Sequence, residues 1–176
     1  MRLFIAVNFN DEIKDSLQKD MARFAEYALE GNFSRRENLH LTLVFIGETD
    51  DVDAVKDAMR VIDDEALTLS IHGFGRFRRD SGDIYWRGIK QNKELENIYH
   101  KLVKSLVNHG FAIDARPFKP HLTLGRQVVT APEFDMYKFE KTLPRLHADV
   151  NRISLMKSER VAGRLKYTEI YGVDLK

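Results

Sequence analysis

Short apolar runs are spread along the chain, and most of them have the length and alternation of β-strands. Between Leu67 and Ile71, for example, Leu and Ile alternate with Thr and Ser, as expected for a strand with one buried face. The predicted strands are Arg2–Asn8, Asn32–Arg36, Leu39–Ile46, Ala66–Phe77, Ile84–Ile89, Phe111–Ile113, His121–Arg126, His147–Ser158 and Lys166–Leu175.

Other stretches place apolar residues at intervals of three and four, which predicts amphipathic helices. Asn10 or Asp11 is suited to cap the first helix, and Gly31 and Gly110 are expected to end the first and third. The predicted helices are Asp11–Ala28, a helix opened by Asp50 or Asp51, Asn92–His109, and a short helix near Phe134–Lys141.

The tetrapeptide His-Leu-Thr-Leu occurs twice, at residues 40–43 and 121–124. Each copy lies in a predicted strand that follows a helix and a short extended piece, which indicates an ancient duplication. We therefore predict one domain over residues 1–176, with two pseudo-symmetric lobes that each carry one copy. The fold class is α+β: two antiparallel or mixed sheets face a central cleft, and helices cover their outer faces.

The spacing of His and Thr within each copy places both polar side chains on one face of a strand. If the two strands face each other, His40, Thr42, His121 and Thr123 meet at one ligand. One neutral and one protonated imidazole can act as general base and general acid. Threonine hydroxyls can bind the oxygens on which charge develops. These groups suit in-line displacement at phosphorus, which needs no metal ion.

The amino-acid composition limits which binding partners and which cellular location can be expected. The 28 basic and 27 acidic residues nearly cancel, so net charge gives no long-range attraction to nucleic acid. No cysteine is present, which excludes thiolate metal sites and favours a reducing compartment, so the cytoplasm is the predicted location. No stretch is long and apolar enough to predict a membrane span, and no membrane partner is expected.

A zinc site at His40 and His121 is the weaker interpretation, because no third ligand stands at suitable spacing on either strand. A single histidine on a strand is usually structural, but a repeated motif in equivalent settings favours function. The remaining histidines have no such copy and are assigned structural or surface roles: His72, His100, His109 and His147.

The two HLTL motifs resemble the paired HXTX signatures of the 2H phosphoesterases, and in particular the LigT-like RNA 2',3'-cyclic phosphodiesterases. Further segments of the chain carry the same resemblance, which spans nearly its whole length. They are RLFIAV at the start, Glu37–Glu48, Gly73–Phe77, Tyr85–Ile89, Phe118–Arg126 and Leu155–Glu159.

The resemblance implies hydrolysis of RNA 2',3'-cyclic phosphate ends to 2'-phosphates, without a cofactor. It implies that His40 is the proton donor and His121 the proton acceptor. Thr42 and Thr123 would bind the phosphate. Some members also join RNA ends through a reversible 2',5' linkage. RNA ends or cyclic nucleotides are the expected substrates, and a monomer is expected.

Arg126 matches a phosphate-binding arginine of that family. Simple alternation places it on the face away from His121, so either a bulge at Gly125 turns it towards the cleft or it is a surface residue, and we favour the bulge. The first motif has Phe45 at the equivalent position, so the two halves differ there.

Arginines cluster with aromatic residues around the predicted hairpin from Phe77 to Trp86. Arg76, Trp86 and Arg87 are therefore candidates for RNA contact, by binding phosphate or stacking on bases. The alternative is a charged hairpin that only keeps the surface hydrated.

Two other functions remain open. The first is a cyclic phosphodiesterase of a small nucleotide such as an ADP-ribose cyclic phosphate. The second is a non-catalytic module that binds RNA ends, although binding alone would not need a second imidazole.

Overall fold

The computed structural model describes all 176 residues, which form nine strands and four helices. The strands are β1 (Arg2–Asn8), β2 (Ala28–Phe33), β3 (His40–Glu48), β4 (Leu67–Phe77), β5 (Asp83–Ile89), β6 (His121–Thr130), β7 (Leu146–Val150), β8 (Arg152–Val161) and β9 (Arg164–Asp174). The helices are α1 (Asp11–Ala25), α2 (Val52–Met59), α3 (Lys93–Asn108) and α4 (Met136–Lys141). None of them is long and apolar enough to cross a membrane.

Every helix begins at an Asn or Asp side chain that accepts a hydrogen bond from a main-chain N–H of the first turn. The capping residues are Asn10, Asp51, Asn92 and Asp135, with donor to acceptor distances between 2.8 and 3.0 Å. These caps explain why the sequence locates the starts of the helices well.

The strands form two antiparallel sheets, one in each lobe, which confirms the predicted α+β class. One sheet has the order β3-β1-β8-β9, and the other has the order β2-β6-β5-β4-β7. If β2 is set aside, the two orders correspond position by position, with the HLTL strands β3 and β6 at the equivalent edge. We propose on this basis that the lobes arose by duplication and form a single domain.

The leucines of both motifs lie on the faces opposite their histidines. Leu41 and Leu122 belong to a core of 27 buried apolar residues that spans both sheets and includes the apolar stripe of α3. Leu124 packs in a smaller core with Phe24 of α1. The helices therefore cover the leucine faces, and the His and Thr side chains are left to face the cleft.

Two predicted strands differ from the structure near the first helix and after the third. Helix α1 ends at Ala25 rather than Ala28, and Gly31 lies inside β2, where it approaches Val128 of β6. The extended segment predicted at Asn32–Arg36 is therefore placed too late, and Arg36–Asn38 forms a 3-10 turn. No strand forms at Phe111–Ile113, which pairs with no neighbouring strand.

The strand predicted at His147–Ser158 is two strands that belong to different sheets. β7 pairs with β4, whereas β8 pairs with β1. The chain crosses between the sheets at Asn151, and no Gly or Pro marks this crossing. Because no turn signal interrupts this stretch, the sequence predicts one strand where the structure has two.

Candidate active site

Both HLTL strands contain a bulge at the same place. Ile5 and Ala6 of β1 stand opposite Val44 and Thr42, so β3 has one extra residue there. In the other sheet, Tyr85 and Trp86 of β5 stand opposite Gly125 and Thr123, so β6 has one extra residue as well. Such an insertion reverses the alternation of side chains beyond it.

The bulge of β6 turns the chain so that Arg126 lies on the cleft side. Leu124 and Gly125 both face the core, and a Cβ added at Gly125 would meet Val128 and Phe33 at 2.9 and 3.3 Å. Arg126 is exposed, and its positive charge acts on His40, on His121 and on Tyr167. This geometry is the bulge that the sequence predicts at Gly125.

The first imidazole is held by both of its nitrogens. Nδ1 of His40 lies 2.6 Å from the carbonyl oxygen of Asn38, and Nε2 lies 2.9 Å from Oγ1 of Thr42. Because a carbonyl can only accept, Nδ1 must carry a proton. In the neutral ring, Nε2 then accepts from the Thr42 hydroxyl.

The second imidazole is held by one nitrogen only. Nδ1 of His121 donates to the carbonyl oxygen of Lys119 at 2.6 Å, which repeats the contact of His40 two residues before the motif. No protein group bonds to Nε2 of His121, so this basic nitrogen is open to a ligand. The Thr123 carbonyl is in turn bonded by the Ser34 hydroxyl at 2.8 Å, which fixes the strand beside it.

Each imidazole also packs against two aromatic rings. His40 lies with its ring centroid 4.9 Å from Phe4 and 5.1 Å from Tyr167. His121 lies 5.0 Å from Phe77 and 6.0 Å from Trp86. These rings restrict the orientation of both imidazoles. Phe4, Phe77 and Tyr167 were not predicted as site residues, since nothing in the sequence separates them from ordinary core aromatics.

The pKa of both histidines is lowered from its ordinary value. For His40 the main cause is burial, and the charges of Arg126, His121 and Lys14 add to it against the bond to Asn38, which acts the other way. Burial likewise lowers the pKa of His121, opposed by the bond to Lys119 and assisted by Arg126. Both rings are therefore neutral in the free protein near pH 7.

A cavity of about 500 Å³ opens beside the two motifs, and His40, Thr123 and Arg126 do not line it. Thr42 of β3 and His121 of β6 both line it, so the two lobes contribute to one binding space. Its volume lies within the range of small-molecule sites. The other lining residues are Leu43, Val44, Phe45, Phe77, Arg79, Ile84, Tyr99, Ile113, Asp114, Arg116, Pro117, Phe118 and Lys119.

The structure corrects the expected RNA contact of Arg87. Its side chain is 1% exposed and forms an ion pair with Asp20 of α1, and it donates to the carbonyls of Gly73 and Pro144 at 3.0 and 2.7 Å. A guanidinium that is saturated and buried in this way cannot contact RNA. Arg87 points into the core because it pairs across the strands with Leu122, whose side chain faces the core, and not with His121.

Arg76 also lies away from the two histidines. It stands opposite Tyr85, whose ring is buried in the smaller core, and it pairs with Asp83 at 3.2 Å. Trp86 is on the other face of the same hairpin, beside His121, and its indole lies across Gly75. Of the three candidates for RNA contact, only Trp86 therefore lies beside one of the two histidines, His121.

No third histidine, aspartate or glutamate joins His40 and His121 in a group that could hold a metal ion. The two motifs carry two imidazoles and two threonine hydroxyls, and the charge of Arg126 acts on both imidazoles. This set can move protons and bind an anion.

Comparisons with known proteins identify a family. The sequence pattern of the 2'-5' RNA ligase superfamily matches residues 13–162. The RNA 2',3'-cyclic phosphodiesterase of Thermotoga maritima is 28% identical over 163 residues, which are 90% of this chain and 87% of that protein. The protein of the same name from Escherichia coli is 29% identical over 176 residues, which are 96% and 93% of the two chains.

A solved structure has a similar fold and a related sequence. The crystal structure of E. coli LigT complexed with 3'-AMP superposes with a TM-score of 0.82 at 27% identity, and the match covers 99% of this chain and 97% of that one.

Proposed function

The chain belongs to the 2'-5' RNA ligase superfamily, and we propose that it hydrolyses RNA 2',3'-cyclic phosphate ends to 2'-phosphates, with two imidazoles as acid and base. The observation that carries the proposal is the pair of bulged His-x-Thr strands that present both imidazoles and Arg126 to one cleft. The names of the relatives that match over nearly their full length support the same reaction.

In the proposed mechanism, the cyclic phosphate binds between the motifs. Arg126 and the hydroxyls of Thr42 and Thr123 hold its non-bridging oxygens, where charge builds in the transition state. The negative charge of the bound phosphate raises the pKa of the nearby imidazoles, which opposes the effect of burial and allows one ring to be protonated.

His121 is the proposed proton acceptor, since its Nε2 is free of any protein partner. It takes a proton from water as the water oxygen attacks phosphorus opposite the 3'-oxygen. The bond from phosphorus to the 3'-oxygen breaks, and protonated His40 gives a proton to that oxygen. The phosphate stays on the 2'-oxygen, and one proton has moved from His40 to substrate while another has moved to His121.

The same arrangement would support a 2',5' linkage if the 5'-hydroxyl of a second RNA replaced water beside His121. Reversible ligation is therefore included as a secondary activity. Action as a monomer in the cytoplasm completes the proposal, and light scattering of the purified protein would test the monomer.

The experiment that tests the function compares three substrates in the presence of EDTA. They are a 2',3'-cyclic mononucleotide, an RNA with a cyclic end, and an ADP-ribose cyclic phosphate. We expect hydrolysis of the first two, with the product resolved as a 2'-phosphate. Turnover of the ADP-ribose compound alone would favour the small-nucleotide function, and RNA binding without turnover would favour the non-catalytic module.

A further inference from the structure

The cavity beside His121 has a cationic rim that the proposed reaction does not use. Three basic side chains line it, Arg79, Arg116 and Lys119, together with one acidic side chain, Asp114. Nε of Arg116 donates to the Asp114 carboxylate at 2.7 Å, so these two charges offset each other. Arg79 and Lys119 are left without a carboxylate partner.

Both of these residues are attached to fixed main chain. The N–H of Arg79 donates to the Asp83 carboxylate at 3.0 Å, and its guanidinium donates to the Arg78 carbonyl at 2.7 Å, which holds the turn between β4 and β5. The Lys119 carbonyl holds Nδ1 of His121. Arg79 and Lys119 therefore come from two separate segments that line the cavity together with His121.

The same cavity has apolar and aromatic walls. Phe45, Phe77 and Ile84 contribute to them, and the rings of Tyr99 and Phe118, which also line the cavity, stack at 4.1 Å. Apolar and aromatic walls suit the base and ribose of one nucleotide. A nucleotide with its cyclic phosphate at His121 and its base on these walls would place its 5' side in the same cavity as Arg79 and Lys119.

We propose that Arg79 and Lys119 bind the 5'-phosphate of the terminal nucleotide, so that substrate selection extends one phosphate upstream of the cyclic phosphate. The inference rests on the proposed function, whose residues His121 and Thr42 line the same cavity. It implies that RNA ends and 5'-phosphorylated nucleotides are better substrates than nucleoside 2',3'-cyclic phosphates.

The test compares adenosine 2',3'-cyclic phosphate with the same compound carrying a 5'-phosphate. For the wild-type protein, we expect kcat/KM to be about tenfold higher with the 5'-phosphate at low salt, and the advantage to shrink as salt screens the charges. In the double variant Arg79→Gln with Lys119→Gln, the ratio should fall towards one. Arg78→Gln is the matched control, because this neighbouring arginine does not line the cavity, and its ratio should equal that of the wild type.

A ratio near one for the wild type, or a ratio kept in the double variant, would overturn the subsite. Calorimetric binding of adenosine 2'-phosphate with and without a 5'-phosphate separates this result from failure of the proposed function. If the wild type hydrolyses neither substrate, the function fails, and tighter binding of the 5'-phosphorylated ligand still supports the subsite. Equal affinities of the wild type for the two ligands would reject the subsite. Circular dichroism checks that the variants are folded. If they are not, the ratio of the two kcat/KM values for the wild type alone decides whether the subsite exists.

Discussion

At the scale of single residues, the two histidines differ in how their Nε2 atoms are used. Nε2 of His40 is bonded to Thr42, and that of His121 is free. The sequence predicts the pair but not this difference, because the motifs are identical. The carbonyls of Asn38 and Lys119 that fix the Nδ1 tautomer come from unlike residues, so no side-chain pattern marks them.

Arg126 is the residue that makes the site asymmetric, and its removal should change both rate and pH dependence. Arg126→Gln removes the positive charge that we propose binds the phosphate, so we expect kcat/KM to fall about 10²-fold. The same charge lowers the pKa of His121, so its loss raises the pKa of the proposed base. The acidic limb of the pH profile of kcat/KM should therefore move to higher pH.

Arg145→Gln is the control for this profile, because Arg145 is exposed and forms no ion pair. Its rate and pH profile should match those of the wild type. An Arg126→Gln enzyme with an unchanged rate would remove Arg126 from the site.

At the scale of elements, the bulges of β3 and β6 decide which side chains enter the cleft. The bulge could be predicted at Gly125 from the conflict between simple alternation and the phosphate contact that the family resemblance implies for Arg126. No such conflict marks β3, where Val44 occupies the equivalent place, and its bulge could not be predicted. The division between β7 and β8 was missed for a similar reason, since the crossing at Asn151 is not marked by a Gly or Pro.

A substitution at Gly125 tests whether the bulge of β6 positions Arg126. In Gly125→Val, the new side chain would press on Val128 and Phe33, at distances that already begin at 2.9 Å for a Cβ. We expect a loss of about 1–3 kcal/mol in the free energy of unfolding, because the core there is overpacked. Activity should fall further than stability explains, since Arg126 is displaced. Urea unfolding and kcat/KM measure the two effects.

Val129→Ala, an exposed change on the same strand, is the matched control and should leave the activity of the folded protein unchanged. Wild-type activity in folded Gly125→Val would show that the bulge does not position Arg126.

The buried ion pair of Asp20 and Arg87 links α1 to β5, beneath the second motif. Removal of one partner leaves an unpaired buried charge, so Arg87→Met should cost about 3–5 kcal/mol of unfolding free energy. The double variant Asp20→Leu with Arg87→Met should recover most of it. Urea denaturation of the three proteins checks this, and equal losses in the single and double variants would contradict it.

At the scale of the whole molecule, stability depends on pH through the two histidines at the lobe interface. Their pKa values are lower in the folded protein than in the unfolded chain, mainly because of burial. Below about pH 6.5 the unfolded chain therefore binds more protons than the folded one, and the free energy of unfolding falls as pH falls. Above that pH both forms are neutral and this contribution is constant.

Thermal unfolding from about pH 7.5 to pH 5 tests this prediction. The double variant His40→Gln with His121→Gln should lose less stability over that range than the wild type does. Identical pH dependence in the two proteins would contradict the assignment of lowered pKa values.

The overall architecture was predictable because the apolar periods, the Asn and Asp caps and the repeated tetrapeptide agree with one another. The burial and orientation of individual charged side chains were less predictable. Arg87 and Arg76 lie in the same hairpin as Trp86, and only the strand register shows that one is buried and the other faces away from the histidines.

The most direct measurement is kcat/KM for a 2',3'-cyclic nucleotide in EDTA, for wild type, His40→Ala, His121→Ala and the exposed control His147→Ala. We predict that each cleft variant stays folded and loses at least about 10²-fold, while His147→Ala keeps wild-type activity. Full activity in either cleft variant, or loss of wild-type activity in the chelator, would contradict a paired acid and base at His40 and His121.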